Sequence, residues 1–373
     1  MKAVVFDGPF QVSLQERPVP QRKSPFKTAH ACLSFYVCPF INSIPVLDDK
    51  DIIIKVRATA LCGSELHVYR GHEQDPGNGF IMGHEFAGVI VEAGPSVKTV
   101  QVGDNVVSPF TVCCGECFYC KHGFTSRCDK CQLFGSRLLD GGQAEYVRVP
   151  LADSTVLKAP DTISDRAALL MADIFPTGYF GVKSAIAMSP SIDVEQSTVV
   201  VVGCGPVGLC AILCALHRRP RHVFAIDSVE SRLEVAQKLG AEALNFQDGK
   251  EVMRQRVMAA TDGRGADMIV EAVGHSPALR TAFELVRPFG AISSIGVHNA
   301  EIPWTGREGY GKNIRLQMGR CPVRHVFGEA LAVLEQKQKD LEFMFDQIMP
   351  LSEAKEGYAL FDKMKVQNVI FVP

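Results

Sequence analysis

The chain has 373 residues, enough to bury a large core and, at the usual domain size, to form about two or three domains. Its 39 Lys and Arg nearly cancel its 41 Asp and Glu, which excludes a global basic field for nucleic acid or a membrane surface and leaves a small molecule as the expected partner. Thirteen cysteines would suit a short secreted disulfide scaffold, but MKAVVFDGPF lacks the long apolar core of a signal peptide, so reduced thiols or metal ligands in a cytoplasmic protein are expected.

Lys2 to Phe6 and Gln11 to Leu14 read as strands around a turn at Gly8-Pro9, and Asp51 to Ala60 reads as a third, suited to antiparallel pairing. Between them, Gln21 to Val46 has neither helical nor strand periodicity and reads as an insertion. Two origins fit it. It is either a surface loop over an edge or cleft, unusually long for a compact domain, or translated non-coding sequence. Arg22-Lys23-Ser24 can be encoded with GTAAGT inside it, which is similar to a splice donor.

Metal-type residues begin where the third strand ends, at Cys62 in Leu61-Cys62-Gly63-Ser64-Glu65-Leu66-His67. Gly83-His84-Glu85 follows and leads into a strand from Phe86 to Ala93. A thiolate and an imidazole at two loop-strand junctions suit zinc, although a single Cys is more often a small buried hydrophobe and a single His a hydrogen-bonded residue. The strongest local signal is Cys114, Cys117, Cys120 and Cys128, with Cys113 and Cys131 as extra thiols nearby. Overlapping C-x-x-C units bring sulfurs within tetrahedral reach, and a full thiolate shell leaves no open position, so this zinc would be structural. Disulfides are the alternative, disfavoured by the compartment and the tight spacing.

Ser197 to Leu216 reads as strand, phosphate loop and helix. Gly203, Gly205 and Gly208 fit G-x-G-x-x-G, which allows a tight turn, close approach to a pyrophosphate at the helix N-terminus, and close helix packing. A membrane span is excluded by these glycines, by Pro206 and by the lack of close basic flanks. Strands at His222 to Ile226, Ala243 to Phe246, Met268 to Ala272 and Ala291 to Ile295, with a helix at Glu230 to Leu239, then alternate as in a doubly wound parallel sheet. Asp227 ends the second strand, where a carboxylate can accept hydrogen bonds from both adenosine ribose hydroxyls. That favours NAD over NADP, with Arg232 nearby as the contrary sign. Val326 to Lys337 reads as an amphipathic helix and Asn368 to Val372 as a final strand.

In this order the motifs resemble the zinc-dependent medium-chain alcohol dehydrogenase family, over nearly the whole chain except Gln21 to Val46. The resemblance implies an α/β architecture, with a doubly wound Rossmann domain at 178–318 and a mainly β, GroES-like catalytic domain at 1–177 and 319–373. The latter carries the insertion at 21–46 and the structural zinc lobe at 113–131. It also implies a catalytic zinc on Cys62, His84 and Asp173, making two zinc ions per chain, with Glu85 as support or as an exchangeable fourth ligand. Ser64 and His67 match the family's proton relay. Glu65 stands where Asp is usual, which lengthens the arm toward His84. Pro206, Val207, Thr177, Val273 with Gly274, and Gly296 with Val297 are implied to flank NAD. Phe180, Ile174 and Phe175 fit either the substrate pocket or plain core packing.

The expected activity is reversible NAD-linked oxidation of a secondary alcohol, polyol or small primary alcohol to its ketone or aldehyde, by a homodimer or homotetramer. Two alternatives remain at this point: an NAD-binding, non-catalytic or impaired paralogue, and a quinone or enone reductase.

Overall fold

A computed structural model describes residues 1–22, 46–73 and 75–373. Most of the expected insertion, including Cys32 and Cys38, lies outside the described residues. Of its ends, Gln21–Arg22 pairs in parallel with Val46–Leu47, so the two flanks of the interval lie side by side.

Two sheets organise the chain. In the first, strands run in the order Ile348–Pro350, Ile370–Val372, Ile52–Ala60, Glu85–Ala93, Asn105–Ser108 and Leu157–Lys158, with Tyr146–Val149 also paired to Ile52–Ala60. Its central pairs are antiparallel, and the last strand of the chain adds beside Ala60. Lys2–Gly8 and Gln11–Glu16 form a separate antiparallel pair.

The second sheet has six parallel strands in the order Glu242–Asn245, His222–Asp227, Thr198–Val202, Ala266–Glu271, Val286–Ser294 and Arg315–Met318. The chain order reverses between Thr198–Val202 and Ala266–Glu271, and a crevice outside the strand ends at such a point is where α/β sheets bind ligands. Thr198–Val202 and Ala266–Glu271 are buried along their whole length, as strands covered on both faces must be.

The principal strands read from the sequence are present with shifted ends. Several helices carried too weak a pattern to be read. Ile174–Ala187 contains Pro176, Gly178 and Gly181, which look like helix breakers. Pro176 falls in the first turn, where its missing N–H has no intrahelical partner to lose. Gly178 lets the helix settle onto Pro206–His217, because a Cβ there would lie 2.6 Å from the Ala211 amide nitrogen. No helix among the described residues is long and apolar enough to cross a membrane.

Candidate active site and cofactor cleft

Strand pairing assembles the first half of the metal cluster. Ala60 pairs with Glu85 across the antiparallel ladder, so the residues just beyond these partners, Cys62 and His84, emerge on adjacent turns. Gly83, at φ +97°, must be glycine: a Cβ there would lie 2.6 Å from Gln143. The second half comes from a distant segment, where Asp173 precedes the helix Ile174–Ala187.

Cys62, His84 and Glu85 are buried and Asp173 is largely so, and each offers a ligand atom within 4.8 Å of the others. His84 Nε2 lies 3.3 Å from Asp173 Oδ2, and Cys62 Sγ lies 3.9 Å from the same oxygen. Tetrahedral zinc at its usual bond lengths separates its N, O and S donors by roughly 3.3–3.6 Å, close to these values. Glu85 Oε1 is buried with no hydrogen-bond partner among the described residues and stands 4.0 Å from His84 Nε2. Burial, reinforced by the Glu85 charge, pushes the Cys62 thiol up to about 12, and burial with the Asp173 charge raises Glu85 to about 8. Burial alone would lower His84. The Glu65 charge and hydrogen bonds to Asp173, Cys62 and Glu65 outweigh it and hold His84 well above its ordinary value. A buried sulfur, nitrogen and carboxylate donor set of this kind fits zinc.

Glu65 reaches despite its longer arm. Its Oε1 accepts from the His84 amide at 3.1 Å and lies 3.2 Å from His84 Nδ1, while Oε2 accepts from the Cys62 amide at 2.9 Å. Ser64 Oγ lies 3.3 Å from His84 Nε2, at the edge of the cluster. His67 is half-buried on the helix Glu65–Tyr69, one turn beyond Ser64, beside the His72 ring. Thr177 donates to Asp173 Oδ1 at 2.5 Å and so sets that carboxylate's orientation. Phe110 meets the His84 ring edge-on, whereas Ile174 and Phe175 sit in the core. Phe180 is partly buried against that core.

Cys114, Cys117, Cys120 and Cys128 form the second donor cluster, also with ligand atoms within 4.8 Å of one another. Backbone amides of Cys114 and Lys130 donate to Cys128 Sγ, and the Cys117 amide donates to Cys114 Sγ. Backbone hydrogen bonds from Asp129 and Cys120 lower the Cys117 thiol to about 6, whereas burial raises Cys120 to about 11 and Cys128 to about 12. All eleven described cysteines are free, so none of the four is spent in a disulfide. Cys113 donates to the Ser154 carbonyl oxygen at 2.7 Å, and Cys131 donates to that of Ser126.

The glycine turn lies at the end of Thr198–Val202, with Gly205 as N-cap and Pro206 and Val207 opening the helix Pro206–His217. Gly203 has φ +95°, and a Cβ on Gly208 would come within 1.8 Å of the Gly203 carbonyl oxygen. Asp227, on the neighbouring strand, accepts from the Cys204 amide at 2.7 Å and from the Ser228 and Val229 amides at 2.7 and 2.9 Å. Of the roughly four acceptor positions on a carboxylate, about one is left over. Arg232 Nη1 stands 4.0 Å from Asp227 Oδ2. Val273 and Val297 are large apolar residues left exposed at the ends of two further strands of this sheet, and Gly274 and Gly296 let their loops touch.

Residues 48–161 match the family described as alcohol dehydrogenase GroES-like domain, and residues 206–336 that described as zinc-binding dehydrogenase. The zinc-type alcohol dehydrogenase B of Aspergillus flavus is 54% identical over 371 residues, covering 100% of this chain and 81% of its own length. The chain belongs to the zinc-dependent medium-chain alcohol dehydrogenase family. The medium chain reductase/dehydrogenase ucsI of an Acremonium species is 55% identical over 83% of this chain and 98% of its own. Among solved structures, the alcohol dehydrogenase TADH from Thermus sp. ATN1 superposes with a TM-score of 0.86 at 32% identity, covering 100% of this chain and 99% of that one.

As a member of this family, the chain is an oxidoreductase acting on CH–OH donors, with a GroES-like part and a Rossmann-like parallel sheet. Zinc is the family's metal, NAD or NADP its usual coenzyme, and a small molecule its substrate. Three buried polar residues of this dehydrogenase escaped the sequence reading. Glu271 accepts from the Val273 and Gly274 amides and from Ser294 Oγ, tying together the ends of two neighbouring strands of the parallel sheet. Gln143 and Tyr358 sit behind Glu65. No motif marks them: the partners of Gln143 and Tyr358 lie far away in sequence, and Glu271 closes an apolar strand with no spacing that singles it out.

Proposed function

We propose that this chain is an NAD-linked alcohol dehydrogenase in which Cys62, His84 and Asp173 hold a catalytic zinc, Glu85 backs that site, and Cys114, Cys117, Cys120 and Cys128 hold a structural zinc. The observation that carries the reading is the buried donor set with its unpartnered Glu85 oxygen. When bound, zinc supplies a Lewis acid for an alcohol oxygen and NAD supplies the hydride acceptor.

The chain's own groups orient and move the proton. Ser64 Oγ, beside His84 Nε2, is the hydroxyl placed to take the alcohol proton. His67 relays it toward solvent, because burial and the His72 and Arg70 charges lower its pKa and keep the imidazole neutral as an acceptor. Thr177 and Glu65 hold the Asp173 and His84 side chains in place. Gly203, Gly205 and Gly208, at the strand-order reversal, form the pyrophosphate turn, with Asp227 on the ribose. Val273 and Val297 offer apolar surface to the nicotinamide. We propose the domain division 178–318 against 1–177 with 319–373, a reading supported by the separate sets of strands in the two sheets.

The test combines metal analysis with a panel of primary, secondary and polyhydric alcohols followed by NADH absorbance. Wild-type protein is expected to hold two zinc ions per chain. Cys62→Ala should hold one, bind NADH normally and lose turnover. Retained turnover in Cys62→Ala or in metal-free protein would refute the assignment.

A further inference from the structure

We propose that Tyr358 and Gln143 form a buried hydrogen-bond relay that fixes Glu65, and through it the tautomer and ring angle of His84. The helix Ala354–Asp362 thereby becomes a remote support of the catalytic metal site. The proposal rests on the reading that Cys62, His84 and Asp173 hold zinc.

The relay has a direction set by chemistry. Tyr358 is fully buried, and its hydroxyl lies 2.9 Å from Gln143 Oε1. Burial and the Glu65 charge keep the phenol protonated, so it donates. The acceptor-only Glu65 carboxylate fixes the carboxamide, because the NH2 must face it and the oxygen then faces Tyr358. On that other side, Gln143 Nε2 reaches Glu65 Oε2 at 3.5 Å. A flipped amide would set its oxygen against the acceptor-only Glu65 carboxylate, an unfavourable contact in a dry site.

Glu65 then holds both metal-ligand loops. The Cys62 amide donates to Oε2, the His84 amide donates to Oε1, and His84 Nδ1 lies 3.2 Å from the same Oε1. With the proton on Nδ1, the lone pair of Nε2 faces Cys62 and Asp173. Gln143 also touches this segment directly. A Cβ on Gly83 would lie 2.6 Å from Gln143 Cγ and from its amide nitrogen, so the peptide leading into His84 rests on Gln143. Tyr358 in turn packs on Tyr69, from the same short helix as Glu65, with ring centroids 5.1 Å apart. Tyr358, Gln143 and Glu65 are thus positioning residues, each acting through the next.

Tyr358→Phe removes one oxygen and keeps the ring packing. Gln143→Met keeps the volume and removes both hydrogen bonds. Zinc release from the purified holoenzyme into excess chelator is followed for wild type and both variants, with Cys62→Ala identifying the phase that belongs to the catalytic site. The catalytic phase should accelerate about 10-fold or more in both variants, with the structural phase unchanged, as for other outer partners of a metal-bound histidine. If both variants release at the wild-type rate and only melt at a lower temperature, the residues merely pack and the relay is overturned. A wild-type chain with no Cys62-dependent phase would overturn the reading of the site and the relay with it.

Discussion

Gly205 and Gly208 sit three residues apart in one turn, yet the structure gives them different jobs, and alanine substitution separates the two. A Cβ on Gly208 would lie 1.8 Å from the Gly203 carbonyl oxygen and 2.8 Å from its carbon. Both atoms are backbone and cannot rotate away, so the helix Pro206–His217 must retreat by about 1 Å or more to restore even a tight contact. Overpacking of this kind costs about 1–3 kcal/mol, and each kcal/mol lowers the melting temperature by about 2–4 °C in a domain of this size. A Cβ on Gly205 meets only Arg232 Nη1, at 3.9 Å, and Gly205 already has an ordinary φ of −69°. Alanine there costs the fold under about 1 kcal/mol as a poorer helix cap. Its methyl instead projects where a pyrophosphate approaches, and losing about 1.4–2.8 kcal/mol of coenzyme binding corresponds to about 10- to 100-fold in Kd. The assays are NADH fluorescence titration and thermal unfolding followed by near-UV circular dichroism. Gly205→Ala should melt near wild type and bind NADH poorly, whereas Gly208→Ala should lose on both counts. NADH binding at wild-type Kd by Gly205→Ala, or wild-type melting of Gly208→Ala, would refute the division of labour.

Two more outcomes follow from single side chains. Asp227→Asn, which removes the charge beside Arg232 while keeping one acceptor oxygen for the Cys204 amide, should cut the kcat/KM preference for NAD over NADP by about 10-fold or more, about 1.4 kcal/mol. An unchanged preference would remove Asp227 from the ribose site. His67, lowered by burial and by the His72 and Arg70 charges, should titrate by NMR below the ordinary imidazole value of 6.5, and the acid limb of alcohol oxidation should follow it. Between those two values the unfolded chain binds more protons than the folded one, so His67 removes stability as pH falls through that window. Titration at or above 6.5, or an acid limb unmoved in His67→Gln, would take His67 out of the relay.

The sequence alone carried whatever depends on local spacing. The four clustered cysteines, the glycine turn with Asp227 after it, and the alternation of strands with apolar helix faces are each encoded within a few tens of residues, so period and spacing were sufficient to read them. Family order supplied Asp173, which no local pattern marks as a partner of Cys62 and His84. Tertiary structure decided how these pieces meet. Pairing of Ala60 with Glu85 places two metal-type residues side by side, and the approach of Gly178 to Ala211 sets the helix that follows Asp173 against the helix of the glycine turn. The hydrogen-bond chain from Tyr358 through Gln143 and Glu65 to His84 joins residues separated by hundreds of positions. Such contacts leave no period in the sequence, because burial and hydrogen bonding depend on where side chains lie in space. The chain's local pattern therefore specified the chemistry it can hold, and only the folded molecule determined how those groups are oriented.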